Sequence, residues 1–363
     1  WAMVRHLYVH IPFCPKICPY CSFYKEASDR NKTQAFLDSV LLEAELECEG
    51  LQPHTIFFGG GTPTALSTPQ LQFLIGGLAE RIDFSELREF TIEMNPATVS
   101  HEKASALLAM GVNRVSMGVQ SWDDGLLKTL GRVHSAAQAK RSYHILREAG
   151  VPNVNLDLIF GIPGQTREQW ADSIQQTIDL APDHISAYCL TYEEDTEFFL
   201  RLQRGEMAPE PQRDSDYFEM AMDRLTAAGF DQYEISNYAR PGRECAHNLA
   251  YWRAKDYAGL GPSAFSTRNG LRRRTVADTA EFIRRMQAGE DRFDFTEVID
   301  ATIRQSEQIA LALRTSDGLP VEMVSPSHLA ALQNGGLITR KEDRIFLTRD
   351  GKLVADEIAV ELM

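Results

Sequence analysis

Apolar positions in the first half of the chain fall into short, nearly continuous runs separated by longer stretches with helical spacing. The short runs cover 6–11, 55–58, 90–94, 114–119, 154–160 and 184–190, and their β-branched and aromatic content predicts strands. Between them helices are predicted. Over 135–149, for example, Ala136, Ala139, Tyr143 and Leu146 recur on one helical face and Gly150 follows as a stop. Strands alternating with helices of this length predict parallel pairing through right-handed crossovers. Six such strands fall short of the eight of a closed (β/α)8 barrel. The expected fold is therefore α/β, a partial six-stranded (β/α) barrel over residues 1–215, with an open doubly wound sheet as the alternative.

The rhythm breaks at 191–216, which is charge-rich and carries Pro209 and Pro211. A helix is predicted over 217–228, then an irregular stretch rich in aromatics and glycines over 238–274. Residues 216–290 thus read as a connecting region. Near the end, 306–313 and 327–333 read as helices and 337–340 with 344–347 as a hairpin around Glu342 and Asp343. Gly351 and a last helix through Leu362 follow. This order predicts a winged-helix-like α+β domain over 291–363. A fold of that kind does not by itself imply DNA binding.

Charge narrows the partners. With 37 Lys and Arg against 51 Asp and Glu, the formal charge is -14, which repels phosphate backbones and argues against nucleic acid. Arg272, Arg273 and Arg274 form one local basic run, read as a solvated loop. No apolar stretch reaches the ~20 residues of a membrane span, and no signal-peptide pattern opens the chain. A cytoplasmic location is expected, with peripheral association at a membrane left open. In a reducing compartment six cysteines do not make a disulfide framework.

Three of the six are clustered as Cys14-Pro-Lys-Ile-Cys18-Pro-Tyr-Cys21 directly after the first strand. Closely spaced thiolates on one loop suit an iron–sulfur cubane, and three of them leave one iron open for another ligand. A zinc site lacking a nearby fourth donor, or three ordinary thiols, are the competing readings. Gly59-Gly-Gly61-Thr62-Pro-Thr64 follows the second strand, where glycines let backbone approach a ligand closely. Glu93, Gln120 and Asp157 fall within or at the ends of later strands and Arg132 in a loop, the side of a barrel on which sites form.

The cysteine spacing resembles that of the radical S-adenosylmethionine (SAM) superfamily. The resemblance implies a [4Fe-4S] cluster held by Cys14, Cys18 and Cys21, with SAM on the open iron as precursor of a 5′-deoxyadenosyl radical. It also implies a SAM site built from Tyr8, Tyr20, Gly60, Gly61, Thr62, Glu93, Gln120, Arg132 and Asp157, with 161–164 shaping an adenine pocket. In this scheme Glu93 accepts from the ammonium, Arg132 clamps the carboxylate and Asp157 accepts ribose hydroxyls.

The segments Tyr8-Val-His-Ile-Pro-Phe-Cys14, 59–64 and Met117-Gly-Val-Gln-Ser121, with the C-terminal domain, resemble the oxygen-independent coproporphyrinogen III oxidase (HemN-like) family over essentially the whole chain. Two features depart from the oxidases. Phe23 stands where they carry a further cysteine, and thirteen residues precede Cys14 where they have an N-terminal extension. His247-Asn248-Leu-Ala-Tyr251-Trp252 instead resembles the HemW heme-chaperone branch. That implies heme bound through His247 on the iron, with Asn248 orienting its ring and Tyr251 and Trp252 as flat cover. The expected function is transfer of heme to an unidentified acceptor protein, needing or regulated by the cluster and SAM. A radical SAM enzyme (a methyltransferase or porphyrin-modifying oxidoreductase) is the alternative, and a redox-sensing binding module is a third reading. Coproporphyrinogen III dehydrogenase activity is not expected.

Overall fold

The structure is a computed structural model that describes residues 4–363. Six parallel strands lie in chain order, each hydrogen-bonded to the next: β1 (His6–Ile11), β2 (Thr55–Gly60), β3 (Glu89–Met94), β4 (Arg114–Gln120), β5 (Asn153–Phe160) and β6 (His184–Cys189). The crossover helices are Arg30–Glu47, Thr68–Ala79, His101–Ala109, Ala136–Glu148 and Arg167–Leu180. Their starts are written locally. Ser67 and Thr166 form capping boxes with Gln70 and Gln169, and Ser135 accepts from the Gln138 N–H.

Strand alternation sorts the two faces. Leu7, Val9, Ile56, Phe58, Ile92, Val115, Met117, Leu156, Leu158 and Ile185 belong to one buried core. The alternate positions are mostly polar: Tyr8, Thr91, Glu93, Ser116, Asn155, Asp157, His184 and Ser186 line a common interior cavity. The barrel therefore buries its apolar face outward against its helices and keeps a polar chamber inside.

The stretch 238–274, expected to be irregular, is ordered and joins this sheet. Ala258–Leu260 pairs parallel with β1, while Asp231–Glu234 and Asn237–Ala239 extend the sheet antiparallel beyond β6, giving nine strands. The basic run is the strand Leu271–Thr275 in a three-stranded sheet, not a solvated loop, with Arg272 paired to Glu307 and Glu297. Strands of three to five residues carry too little periodicity to be seen in a sequence; pairing with neighbours forms them.

The helix–helix–hairpin order expected near the end is present. Helices Ala301–Leu313 and Pro326–Asn334 pack with a sheet of Leu319–Pro320, Ile338–Lys341 and Arg344–Leu347 around a second core. Arg253 to Asp317 (2.7 Å) and Lys352 to Gln232 (2.7 Å) join it to the remainder.

One buried ion pair fastens the helix Arg30–Glu47 to the open edge. Glu43, fully buried, accepts from Gly261 N–H (2.7 Å), Thr275 Oγ1 (3.2 Å) and Arg292 Nε (2.8 Å). Removing Arg292 strands this carboxylate, and losing one partner of a buried pair costs about 3–5 kcal/mol. Arg292→Ala should therefore unfold at clearly lower denaturant, with Arg292→Ala/Glu43→Gln recovering part of the loss. An unchanged midpoint in Arg292→Ala would remove the pair from any structural role.

Candidate functional site

The cysteine loop leaves β1 and folds over the C-terminal ends of the strands. Short pairings hold it: Cys21 N–H donates to Cys18 O (3.2 Å), Ser28 N–H to Cys14 O (3.1 Å) and Thr62 N–H to Phe13 O (2.9 Å). All three thiols are free and half-buried. Burial pushes the Cys14 and Cys21 thiols up, so thiolate character there awaits a metal. Among the described residues no three His, Cys, Asp or Glu side chains close on a single ion. Three thiols on one loop suit a cubane, whose irons are ligated at separate corners. Phe23, 68% exposed, stands just beyond Cys21.

The glycine run is required by contact. An added Cβ on Gly60, whose φ is +106°, would lie 2.4 Å from the His10 ring, and one on Gly61 would lie 2.6 Å from the Pro12 backbone. Thr62 Oγ1 reaches Cys14 Sγ at 3.5 Å. At the end of β4 a bulge re-aims the chain and holds Gln120 at φ 71°, a conformation few side chains adopt. Arg132 donates from Nη2 to Gly118 O (2.8 Å) and from Nη1 to Cys18 Sγ (3.6 Å), while its Nε is buried without a partner among the described residues. An orphaned guanidinium donor beside the cysteine loop suits a carboxylate that has yet to arrive.

Glu93 accepts the Gly60 N–H at 3.2 Å. Burial first, and then Asp157, push its carboxyl up to about 8. Asp157, itself raised by burial, accepts from Asn155 Nδ2 (2.6 Å) and Ser116 Oγ (3.3 Å). Tyr8 OH lies 3.0 Å from His10 Nδ1, and the Tyr20 ring packs at a tilt against that of Phe198. All nine residues expected at the SAM site line one cavity of about 540 Å3, a volume in the range of small-molecule sites. An acceptor for an ammonium, a clamp for a carboxylate and a glycine cradle in one chamber fit an amino-acid-bearing cofactor.

The sequence did not reveal the floor of that chamber. His184, Asn155 and Ser186 form a buried network in which His184 Nδ1 meets Asn155 Oδ1 (2.6 Å) and Nε2 meets Tyr233 OH (2.8 Å). The alternation Asn153, Asn155, Asp157 and His184, Ser186, Tyr188 was the available signal. Cys245 and Asn248 also line the cavity, so the His-Asn-x-x-Tyr-Trp segment shares a chamber with the cluster loop rather than lying apart from it. It is a helix, Ala246–Trp252, whose first N–H groups are capped by Glu89 at 2.9 Å.

His247 is fully buried. Its Nδ1 meets Thr55 Oγ1 (2.8 Å), its Nε2 meets Tyr251 OH (2.9 Å), and Phe57 stacks on its ring. Burial lowers its pKa to about 3, so the ring is neutral. Heme iron could take neither nitrogen without displacing Thr55 or Tyr251. Tyr251 lines a second cleft on the outer side of the barrel, and Trp252 lines neither cavity.

Residues 8–177 match the Radical SAM superfamily. The chain is 36% identical to the heme chaperone HemW of Bacillus subtilis across 98% of both chains. It is 40% identical to that of Escherichia coli over 71% of this chain and 68% of the other. Among solved structures, coproporphyrinogen III oxidase (HemN) from Escherichia coli superimposes with a TM-score of 0.87 at 24% identity, covering all of this chain and 91% of that one, a likeness of fold.

Loss of the Arg132 clamp should cost SAM about 1.5–3 kcal/mol of binding, tenfold or more in affinity. An Arg132→Ala protein with full iron content and undiminished SAM affinity in equilibrium dialysis would exclude that role. Because Glu93 is neutral below about pH 8 and an ammonium needs its carboxylate, SAM binding should expel a proton. Affinity should rise with pH, by up to about tenfold per unit, between about pH 6 and 8. Glu93→Gln should bind weakly with a flat profile, and a retained slope would point to another group. Cluster content should survive Cys48→Ala, Cys189→Ala and Cys245→Ala and fail in Cys14→Ala, Cys18→Ala or Cys21→Ala, as counted by iron and sulfide.

Proposed function

The chain belongs to the radical SAM superfamily and, within its HemN-like branch, to the HemW heme-chaperone family, and from that premise we propose that it binds heme and delivers it to an acceptor protein under control of its cluster site. The observation that carries this reading is the shared chamber. Glu93 and Arg132 line it near the cysteine loop, and Cys245 and Asn248 line it at the family's His-Asn-x-x-Tyr-Trp helix. Whatever fills the upper part of this cavity alters the surroundings of the helix that closes the lower part. Cofactor occupancy can therefore bias heme capture or release through direct packing.

When bound, the [4Fe-4S] cluster and SAM supply one-electron chemistry at the open iron. The chain's own residues do the rest. Cys14, Cys18 and Cys21 hold the cluster at the mouth. Arg132 and Glu93 fix the two ends of an amino-acid group, and Asp157 offers an acceptor pre-set by Asn155 and Ser116. Gln120, held by its bulge, lines the same chamber.

A second reading, a radical SAM methyltransferase or porphyrin-modifying enzyme, is favoured by the completeness of that chamber. Anaerobic reconstitution separates the two. On the chaperone reading heme binds in saturable fashion, passes to apo-acceptor proteins, and SAM is not consumed in proportion to heme moved. Stoichiometric 5′-deoxyadenosine or S-adenosylhomocysteine coupled to a modified porphyrin would establish the enzyme instead. With Phe23 exposed where the oxidases carry a cysteine, incubation with coproporphyrinogen III, SAM and a low-potential reductant should yield no decarboxylated product. Turnover on the order of 1 per second would overturn the chaperone assignment.

A further inference from the structure

We propose that His184 and Tyr233 are positioning residues for the SAM ribose: acting through Asn155, they set the orientation of Asp157 and with it the chain's discrimination of the ribose hydroxyls. This rests on the reading that places Asp157 at the ribose and extends it to two side chains standing behind that carboxylate.

Register brings the group together. His184 stands opposite Asn155 across β5 and β6, and Ser186 opposite Asp157. Tyr233 comes from the edge strand Asp231–Glu234. His184, Asn155, Ser186 and Tyr233 are all buried, and polar groups in such a place have to be paired. Their pairing admits one order of donors. The Tyr233 hydroxyl oxygen accepts the Cys245 N–H at 3.3 Å, and its own proton points to His184 Nε2 at 2.8 Å. Burial raises the Tyr233 phenol, and burial together with Arg114 lowers the His184 imidazole, so the phenol keeps its proton and the ring stays neutral. A neutral imidazole carries one N–H. With Nε2 accepting, that hydrogen sits on Nδ1 and is donated to Asn155 Oδ1 at 2.6 Å. Asn155 Nδ2 then donates to Asp157 Oδ1 (2.6 Å) and Ser116 Oγ (2.8 Å).

This order excludes a turned amide. With Asn155 flipped, its carbonyl oxygen would face the Asp157 carboxylate and its NH2 would face the His184 N–H. Without the Tyr233 hydroxyl, His184 is free to carry its hydrogen on Nε2 instead. Nδ1 then becomes an acceptor, and the turned amide is tolerated on that side. Asp157 would lose its 2.6 Å donor. Burial raises the Asp157 carboxyl, and hydrogen bonds from Ser186, Asn155 and Ser116 oppose that rise. An ionised carboxylate is the stronger acceptor for a hydroxyl, so the donors behind Asp157 decide how well it receives a ribose in front. No proton changes hands in this arrangement. Tyr233 is itself fixed from outside the barrel, where Ser316 N–H donates to its carbonyl at 2.8 Å and Glu234 bridges to Thr315.

The test compares SAM with its 2′,3′-dideoxyribose analogue by anaerobic equilibrium dialysis on the full-length, cluster-loaded protein. The wild type should prefer SAM by about tenfold or more, the worth of a hydrogen bond to a charged group. Asp157→Ala should abolish that preference. Tyr233→Phe, which removes one hydroxyl and keeps the ring, should cut it severalfold, and so should His184→Phe. In both, SAM should weaken while the analogue binds as before. A general loosening of the barrel would lower both ligands together, so the ratio reports positioning and iron content reports folding. Tyr233→Phe added to Asp157→Ala should have no further effect on the ratio. An undiminished preference in Tyr233→Phe, or an equal loss of both ligands, overturns the positioning role and leaves Asp157 at the ribose. A preference that survives Asp157→Ala, or is missing from the wild type, overturns the placement of Asp157 and this proposal with it.

Discussion

Everything in this molecule follows from the alternation of its six parallel strands. Side chains of a strand point to opposite faces. In β1 to β6 the face that packs against the crossover helices is apolar, and the inner face is largely polar. A closed eight-stranded barrel fills its interior with branched apolar layers. Here the interior instead holds Glu93, Asp157, Asn155, Ser186 and His184, and polar groups in a desolvated space must find partners. They find each other. The hydrogen bonds among Ser116, Asn155, Asp157, Ser186 and His184 hold the chamber walls in fixed positions, so that burial and like charge can lift the Glu93 carboxyl while leaving the cavity open.

An open barrel with a polar interior has two mouths to manage. At the C-terminal end the cysteine loop and the glycine run close in, and the absence of side chains at Gly60 and Gly61 lets His10 and Pro12 approach. At the other end Glu89, the first residue of β3, caps the helix Ala246–Trp252 and fixes it against the strand ends. A carboxylate at a helix N-terminus satisfies free N–H groups and opposes the dipole. The helix has only seven residues and could not persist without such anchorage. The same anchorage spends both nitrogens of His247 and leaves Tyr251 on the outer cleft.

The C-terminal body bears on this arrangement through the strands after the barrel. Ser316 N–H donates to Tyr233 O, and Tyr233 OH reaches His184 inside the chamber. One side chain thus lies between the second core and the polar network. The helix Ala301–Leu313 supplies Arg304, Ala310 and Leu311 to the outer cleft, so that cleft exists only when both bodies are in place.

The cluster loop, the six strands and the C-terminal helix–hairpin order were all legible in the sequence. Each is either a local spacing of chemically distinctive residues or a periodicity long enough to register, as Cys14, Cys18 and Cys21 or Ala136, Ala139, Tyr143 and Leu146 illustrate. The nine residues around the upper chamber were named through the family resemblance, and the fold brings them to one cavity. The short strands near 238 and 258 and the ladder that turns Arg272 to Arg274 into paired strand residues were not, because pairing partners far away in the chain create them. The sequence could name His247, Asn248, Tyr251 and Trp252 as a group but not divide their roles. That division depends on which ring nitrogen meets Thr55, which side chain meets open space and which carboxylate caps the helix. These are contacts between residues some 190 positions apart in one case, Thr55 and His247, and only the folded chain brings them within 3 Å.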